Sequence, residues 1–322
     1  MEIFTNPTSD EIKKAARSLK DGHLVAFPTE TVYGLGADAN NEKAVSRIYS
    51  VKGRPTDHPL IVHISSTKRL SCWARDIPDY AIMLAKEFWP GPMTLILKRS
   101  VLAKNYITGS QESVGLRVPS HPIAQTLIRE FETQGGNGLV APSANRFGAV
   151  SPTTADDVKE ELGSYFHAND LVLDGGQSMI GLESTIIDCT SDFPVQLRPG
   201  ALTLEMIINS TGLKVNLDFK DNTIKTSGLL QSHYSPKARV ILNSLPEIGE
   251  GFIAMASVPT PQGAIRLLAP ETIEEFGRQL YKALRSGDHL FLETIKVIEP
   301  IGAGLAESIR DRLTKSSAQK DI

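Results

Sequence analysis

The sequence predicts an α/β protein: a mixed sheet flanked by helices in the first two-thirds, and a small second α/β unit behind it. Three observations carry that expectation. Short apolar runs alternate with amphipathic stretches from residue 9 to residue 208. Several runs follow each other too closely for a crossover helix, so some sheet neighbours must be antiparallel. The alternation breaks after 204–208 and resumes at Arg239.

The first helix is expected over Ser9–Leu19, with Ser9 as its cap, Asp10 and Glu11 in the first turn, and Ile12, Ala15, Ala16 and Leu19 on one face. Gly22 ends it. A buried strand follows at "HLVAF" (23–27), then a helix over 42–50, a strand at "LIVHI" (60–64), a helix over 78–88 and a strand at "MTLIL" (93–97). "VGLRV" (114–118) reads as the next strand, 122–131 as a helix, "GLVAP" (138–142) as a strand and 153–162 as a helix. Short strands close the unit at "LVLD" (171–174), "STIIDC" (184–189) and "PVQL" (194–197). The stretch from Asn209 to Ala238 is polar and holds no period; a loop that long is usually functional or disordered. Beyond it "RVILN", "FIAMA", "IRLLA" and "HLFLE" read as strands, with helices over 272–286 and 303–315. The implied division is 1–209, a linker over 210–238, and 239–322.

Composition narrows the class. The 322 residues are 41% hydrophobic and 22% charged, which is ordinary for a folded chain with a sizeable core. A net charge of −3 gives no global field for nucleic acid or anionic membrane, although a local basic pocket is compatible with it. The two cysteines, Cys72 and Cys189, make neither a disulfide framework nor a zinc site. No apolar run approaches the ~20 residues of a membrane span, and the polar N-terminus lacks a signal-peptide core. A cytoplasmic location without membrane partners is the expectation.

Four segments carry candidate chemistry. "FPTETVYGLGADA" (27–39) ends a strand on Pro28, then offers the hydroxyls of Thr29, Thr31 and Tyr33 beside Gly34 and Gly36. It is either a ligand loop at a strand's C-terminal end or a structural turn. "KGRPTDHPLIVH" (52–63) places Lys52 and Arg54 two apart, so an extended chain projects both to one face. Two such cations suit a polyanion or make a solvated basic turn; His58 and His63 follow them. "APSANRFGAVSPTTADDV" (141–158) offers Ser143 and Asn145 and then a helix start at Ser151–Thr154, which is either an anion site or simple capping. Arg117, inside an apolar strand, needs an anionic partner, either Glu30, Glu183 or a substrate carboxylate. "LRPGAL" sets Arg198 before another helix start. No nucleophile elbow, carboxylate pair or metal-binding His pair is present.

Together "FPTETVYGLGADA", "KGRPTDHPLIVHI", "WPGPMTLIL", "VGLRVPSHPIA", "APSANRFGAVSPT", "GLESTIID" and "LRPGAL" resemble the L-threonylcarbamoyladenylate synthase family, the YrdC-like enzymes, from about residue 10 to 210. "HYSP" in the linker and "ESIRDRLTKSS" near the end resemble its two-domain branch. The resemblance implies a YrdC-like twisted mixed sheet around a large basic cavity, a linker lid, and a small Rossmann-like C-terminal domain. It implies that L-threonine, bicarbonate or CO₂, and ATP with Mg²⁺ give threonylcarbamoyl-AMP and pyrophosphate. That is the first step of threonylcarbamoyladenosine formation beside the anticodon of ANN-decoding tRNAs; other proteins perform the later transfer.

The implied signature is Lys52, Arg54, Ser143 and Asn145. The implied threonine pocket is Thr31, His63, Arg117, Ala141 and Ser184, and the implied ATP contacts are Arg54, His58, Ser113, Ser143, Ser151, Arg198 and Tyr234. No protein side chain is expected to ligate metal, and none stands out as a general base. The family's linker commonly carries Pro-Gly where Ser227-Gly228 stands here, which leaves the lid's placement open. Two alternatives remain: a carbamoyl-AMP activity like that of hydrogenase-maturation relatives, and a non-catalytic module with weak RNA binding in the basic cavity.

Overall fold

The computed structural model describes residues 1–216, 226 and 233–318. Ser227 and Gly228, with most of the linker, lie outside the described residues. Strand β1 (Glu2–Thr5) leads into helix α1 (Ser9–Lys20). Thr8, rather than Ser9, caps this helix: its Oγ1 accepts from Glu11 N–H while the Glu11 carboxylate accepts from Thr8 N–H at 2.7 Å. The T-x-x-E spacing of a capping box explains the shift. Ile12, Ala15, Ala16 and Leu19 are buried as expected. They pack with Leu127, Ile128 and Phe131 of a later helix, and each buried Leu or Ile stabilises by ~1.5–3 kcal/mol.

Next come β2 (Val25–Phe27), β3 (Gly34–Asp38), α2 (Glu42–Lys52), β4 (Ile61–His63), α3 (Leu70–Trp73), α4 (Asp79–Phe88), β5 (Met93–Lys98), α5 (Asn105–Thr108), β6 (Ser113–Arg117), α6 (Pro122–Thr133), β7 (Leu139–Val140) and α7 (Ala155–Leu162). β8 (Leu171–Asp174), β9 (Thr185–Asp188), β10 (Val195–Arg198) and α8 (Leu204–Thr211) complete this part. Strand β3 was not expected. It pairs antiparallel with β2, Val25 opposite Gly36, and a Cβ on Gly36 would stand 2.8 Å from the Phe27 ring. Glycine is required there by the neighbouring aromatic, which hides the strand from a β-propensity reading.

The ten strands form one mixed sheet, in the order β1-β8-β2-β3-β7-β4-β6-β5-β9-β10. β4 runs parallel to β6 with His63 opposite Arg117, and β7 lies antiparallel to both β3 and β4. One apolar cluster packs against one face of this sheet and a second holds α1 and α6 on the other.

The C-terminal part has β11 (Arg239–Leu242), β12 (Gly251–Ile253), β13 (Ile265–Leu268), α9 (Ile273–His289), β14 (Thr294–Val297) and α10 (Leu305–Ser317). Its sheet is parallel throughout, in the order β11-β14-β12-β13. The strand expected at "HLFLE" (289–293) is absent. α9 runs through His289, and a turn closed by Leu292 N–H on Gly287 C=O puts Phe291 at φ 54 before β14 begins. Val32, Val150 and Leu182 share an apolar cluster with Phe276, Tyr281 and Leu313, so this part packs directly on the large one.

Candidate active site

The C-terminal ends of β2, β4 and β6 open onto one cavity, where open α/β sheets place ligands. The loop between β2 and β3 forms one wall. Thr29 Oγ1 donates to Val32 C=O at 2.6 Å and shares a hydrogen bond with Thr31 Oγ1 at 2.8 Å. This closed loop is pinned from outside by Ile180 and Gly181, whose N–H groups reach Glu30 and Thr31 C=O.

Arg117 ends β6 and reaches this loop. Its Nη2 donates to Glu30 at 2.7 Å and to Thr31 Oγ1 at 2.9 Å. Of the partners weighed from sequence, Glu30 is therefore the one engaged, while Arg117 Nε is buried without a hydrogen bond. Burial works to raise the Glu30 carboxyl, but the Arg117 charge and hydrogen bond outweigh it, and the group stays below its ordinary value. His63 stands beside Arg117. Burial, with the Arg117 charge, pushes its imidazole down to about 3, so it is neutral at physiological pH.

The opposite wall comes from β9, β10 and the turn after α2. Ser184 shares a 2.8 Å hydrogen bond with Thr94, and Arg198 Nη2 donates to Ser184 Oγ at 3.1 Å and to its C=O at 2.9 Å. Arg54 donates to Pro59 C=O at 3.0 Å and lies 5.6 Å from the Phe147 ring centre; burial lowers its guanidinium to about 10. Ala141 and Ser143 contribute the floor. Tyr33 N–H bonds Pro152 C=O and its C=O takes Ala144 N–H, which fixes the 141–145 turn against β3.

Thr31, Arg54, His63, Arg117, Ala141, Ser143, Ser184, Arg198 and Tyr234 thus all line the cavity. Five expected residues do not. Lys52 and Arg54 are not on one extended face: α2 continues through Lys52, and Gly53 at φ 62 turns the chain. Lys52 is instead buried behind the floor, where Nζ donates to Ser143 and Asn145 C=O at 2.6 Å each. Burial and the nearby Arg54 push its amine well down. Asn145 turns inward too, donating to Arg146 and Ala149 C=O. Ser151 donates to Glu183 at 2.6 Å and does not reach the cavity surface. Ser113 lines a separate, small space with Gln111 and Thr226, and Ile61 lines both. His58 sits behind Phe147, ring centres 5.3 Å apart.

Two residues were passed over. Glu183 was weighed only as a partner for Arg117, yet it lines the cavity and carries Ser151, Tyr281 and Arg312 as donors. Burial alone would raise it; Arg312, Arg198 and the hydrogen bonds prevail and hold it at about 2. His233 lies edge-on to Tyr234 with ring centres 4.0 Å apart, and burial pushes it down to about 3. Tyr234 itself has φ 59, a left-handed conformation that costs a tyrosine about 1–3 kcal/mol. Its hydroxyl and His233 Nδ1 are buried and unbonded.

No cluster of three or more His, Cys, Asp or Glu able to hold a metal occurs among the described residues. The cavity carboxylate Glu183 and the adjoining Glu30 already face arginines. No described helix is long and apolar enough to cross a membrane.

A family model described as "Telomere recombination", of Sua5, YciO and YrdC, matches residues 17–200. A second, described as the threonylcarbamoyl-AMP synthase C-terminal domain, matches residues 202–318. The chain is 40% identical to the threonylcarbamoyl-AMP synthase of Pyrococcus abyssi, covering 97% of this chain and 95% of that one. It is 37% identical to the Bacillus subtilis protein of the same name, covering 100% and 96%. The crystal structure of P. abyssi Sua5 complexed with L-threonine matches with a TM-score of 0.87 at 38% identity, over 98% of this chain and 96% of that one. E. coli YciO matches over 62% of this chain and 93% of its own, with a TM-score of 0.52 and 26% identity.

Proposed function

The chain belongs to the two-domain threonylcarbamoyl-AMP synthase family, and from that premise we propose how its cavity carries out the reaction. L-threonine, bicarbonate or CO₂, and ATP give threonylcarbamoyl-AMP and pyrophosphate, the first step of threonylcarbamoyladenosine formation in ANN-decoding tRNA. Other proteins then take the product and transfer its threonylcarbamoyl group. The catalytic unit is 1–209 and 239–322 is the C-terminal unit; from the linker over 210–238, His233 and Tyr234 line the cavity.

The observation that carries this reading is the convergence of Arg54, Arg117 and Arg198 from three distant elements on one buried cavity. Threonine's carboxylate pairs with the Nε of Arg117, a buried donor still without a partner. Its hydroxyl is taken by Thr31, His63 and the Ala141 backbone, with Ser184 closing the pocket. Arg54, Arg198 and Ser143 hold the triphosphate, and His233 and Tyr234 cover it. Lys52 and Asn145 act from behind, by fixing the turn that presents Ser143.

The chemistry has two steps. Bicarbonate dehydrates to CO₂, whose carbon the threonine amine attacks while passing a proton to water, forming an N-carboxylate. A carboxylate oxygen then attacks the α-phosphorus, the bond to the bridging oxygen breaks, and pyrophosphate leaves. His63, neutral down to about pH 3, is a poor base and suits hydrogen bonding. Catalysis therefore comes from positioning and electrostatics. No cluster of metal-ligating side chains occurs among the described residues; in this reading Mg²⁺ enters as the nucleotide's counter-ion.

Labelled bicarbonate tests the reading. Label should enter an adenylate only when threonine and ATP are both present. An adenylate formed from ATP and a carbamoyl donor, with no label taken up from bicarbonate, would instead indicate a carbamoyl-AMP activity.

A further inference from the structure

Beyond the two substrates, one buried network ties the C-terminal unit to the cavity. Arg312 of α10 is fully buried in the fold. Its Nε donates to Glu183 Oε2 at 2.8 Å, its Nη2 donates to Pro199 C=O at 2.9 Å, and Nη1 pairs with Asp311. Its guanidinium carbon stands 5.2 Å from the Tyr234 ring centre. Tyr281 of α9 donates to the same Glu183 oxygen at 2.8 Å and stacks on Tyr234, with ring centres 5.7 Å apart and planes 22° from parallel.

The backbone around Tyr234 is held from the same side. Ser316 of α10 donates to Tyr234 C=O at 2.9 Å, and His233 N–H reaches Lys315 C=O at 3.2 Å. On the other side Ser235 N–H reaches Gly148 C=O at 2.9 Å. These contacts oppose the release of a tyrosine from its left-handed conformation. Glu183 and Tyr234 both line the cavity. Two cavity residues are therefore fixed by side chains that never touch it.

We propose that Arg312 and Tyr281 are positioning residues for the nucleotide side of the cavity: they fix Glu183 and Tyr234, and the C-terminal unit is a working part of the site. It rests on assigning this cavity to threonine and ATP. Glu183 is the junction. It faces Arg312, Tyr281 and Ser151 directly, and its charge is felt by Arg198 and His233 on the cavity wall. Without its two C-terminal donors the carboxylate loses its fixed place, and the strap at 233–235 loses the ring and the guanidinium it rests on.

The test uses the full chain and steady-state pyrophosphate release. Tyr281→Phe keeps the stack on Tyr234 and removes only the donor to Glu183. Arg312→Met removes the ion pair, and Arg312→Lys restores the charge. The expected result is a KM for ATP raised about tenfold in Arg312→Met, with ~1.4 kcal/mol as its equivalent. Tyr281→Phe should show a smaller rise, Arg312→Lys partial rescue, and threonine binding by calorimetry should stay within about threefold of the parent. A purely architectural role predicts a lost folded fraction with unchanged KM values in the remainder. That outcome, or an unchanged KM for ATP in a folded Arg312→Met, overturns the proposal. If Arg312→Met fails to fold, Tyr281→Phe and Ser316→Ala decide on the same criterion. A parent chain without threonine-dependent pyrophosphate release would instead overturn the underlying assignment.

Discussion

Replacing Lys52 with methionine separates the support of the cavity floor from its chemistry. The change keeps the side chain's length and removes its amine. Lys52 Nζ donates to the carbonyls of Ser143 and Asn145 at 2.6 Å each, and only 2% of the residue is exposed. The methionine thioether fills much of the same space and cannot donate to either carbonyl. An orphaned buried carbonyl costs ~1–3 kcal/mol, so two cost about 2–6 kcal/mol. That is a large part of the ~5–15 kcal/mol that holds a domain folded. At roughly 2 °C per kcal/mol for a large chain, the melting temperature should fall by roughly 4–12 °C. Activity should fall with it, because the turn that carries Ser143 loses its anchor. Thermal melts and pyrophosphate release on the same preparation read both effects. A folded Lys52→Met that melts within about 1 °C of the parent and keeps its turnover would refute the reasoning.

Arg54→Ala should behave differently, because Arg54 faces the cavity while Lys52 sits behind it: KM for ATP rises about tenfold or more, and a melting temperature that falls as in Lys52→Met, with KM unchanged, would contradict this. Stability should decline in acid. His63 and His233 are held at about 3 against an ordinary 6.5, so between those values the unfolded chain binds protons that the folded chain does not. Glu183, held at about 2 against 4.5, adds the same sign below its ordinary value. Urea midpoints measured downward from about pH 7 should therefore fall, and a flat or rising midpoint would contradict the burial of these groups. Among substrate analogues, 2-aminobutyrate should react at least about a hundredfold more slowly than threonine and more slowly than serine, because the proposed pocket bonds the hydroxyl; equal rates would contradict that placement.

Much of the fold was legible because capping and periodicity are local. Ile12, Ala15, Ala16 and Leu19 mark one face of α1 without reference to any partner. Strand β3 is hidden because its Gly36 answers to Phe27 on the neighbouring strand. The turn at Leu290–Leu292 reads as a strand because "HLFLE" has a strand's composition, while the chain turns just past α9 and leaves Leu290 and Phe291 exposed. At the site, most residues that touch the cavity are legible through the motifs that carry them, Glu183 and His233 being the exceptions. How Lys52 and Asn145 act, through the turn that presents Ser143, is not legible. Lys-x-Arg spacing cannot reveal that a helix end and a left-handed glycine send its two cations apart. Nothing local marks Arg312 as a partner of Glu183, 129 residues earlier.

The central claim is that one cavity brings an amino acid and a triphosphate together, and its most direct measurement is pyrophosphate release from ATP with threonine and bicarbonate omitted in turn. Release that requires both is the predicted result, and Arg117→Ala should abolish that threonine-dependent release. Release that proceeds equally well without threonine, or none with the complete mixture, would contradict the account.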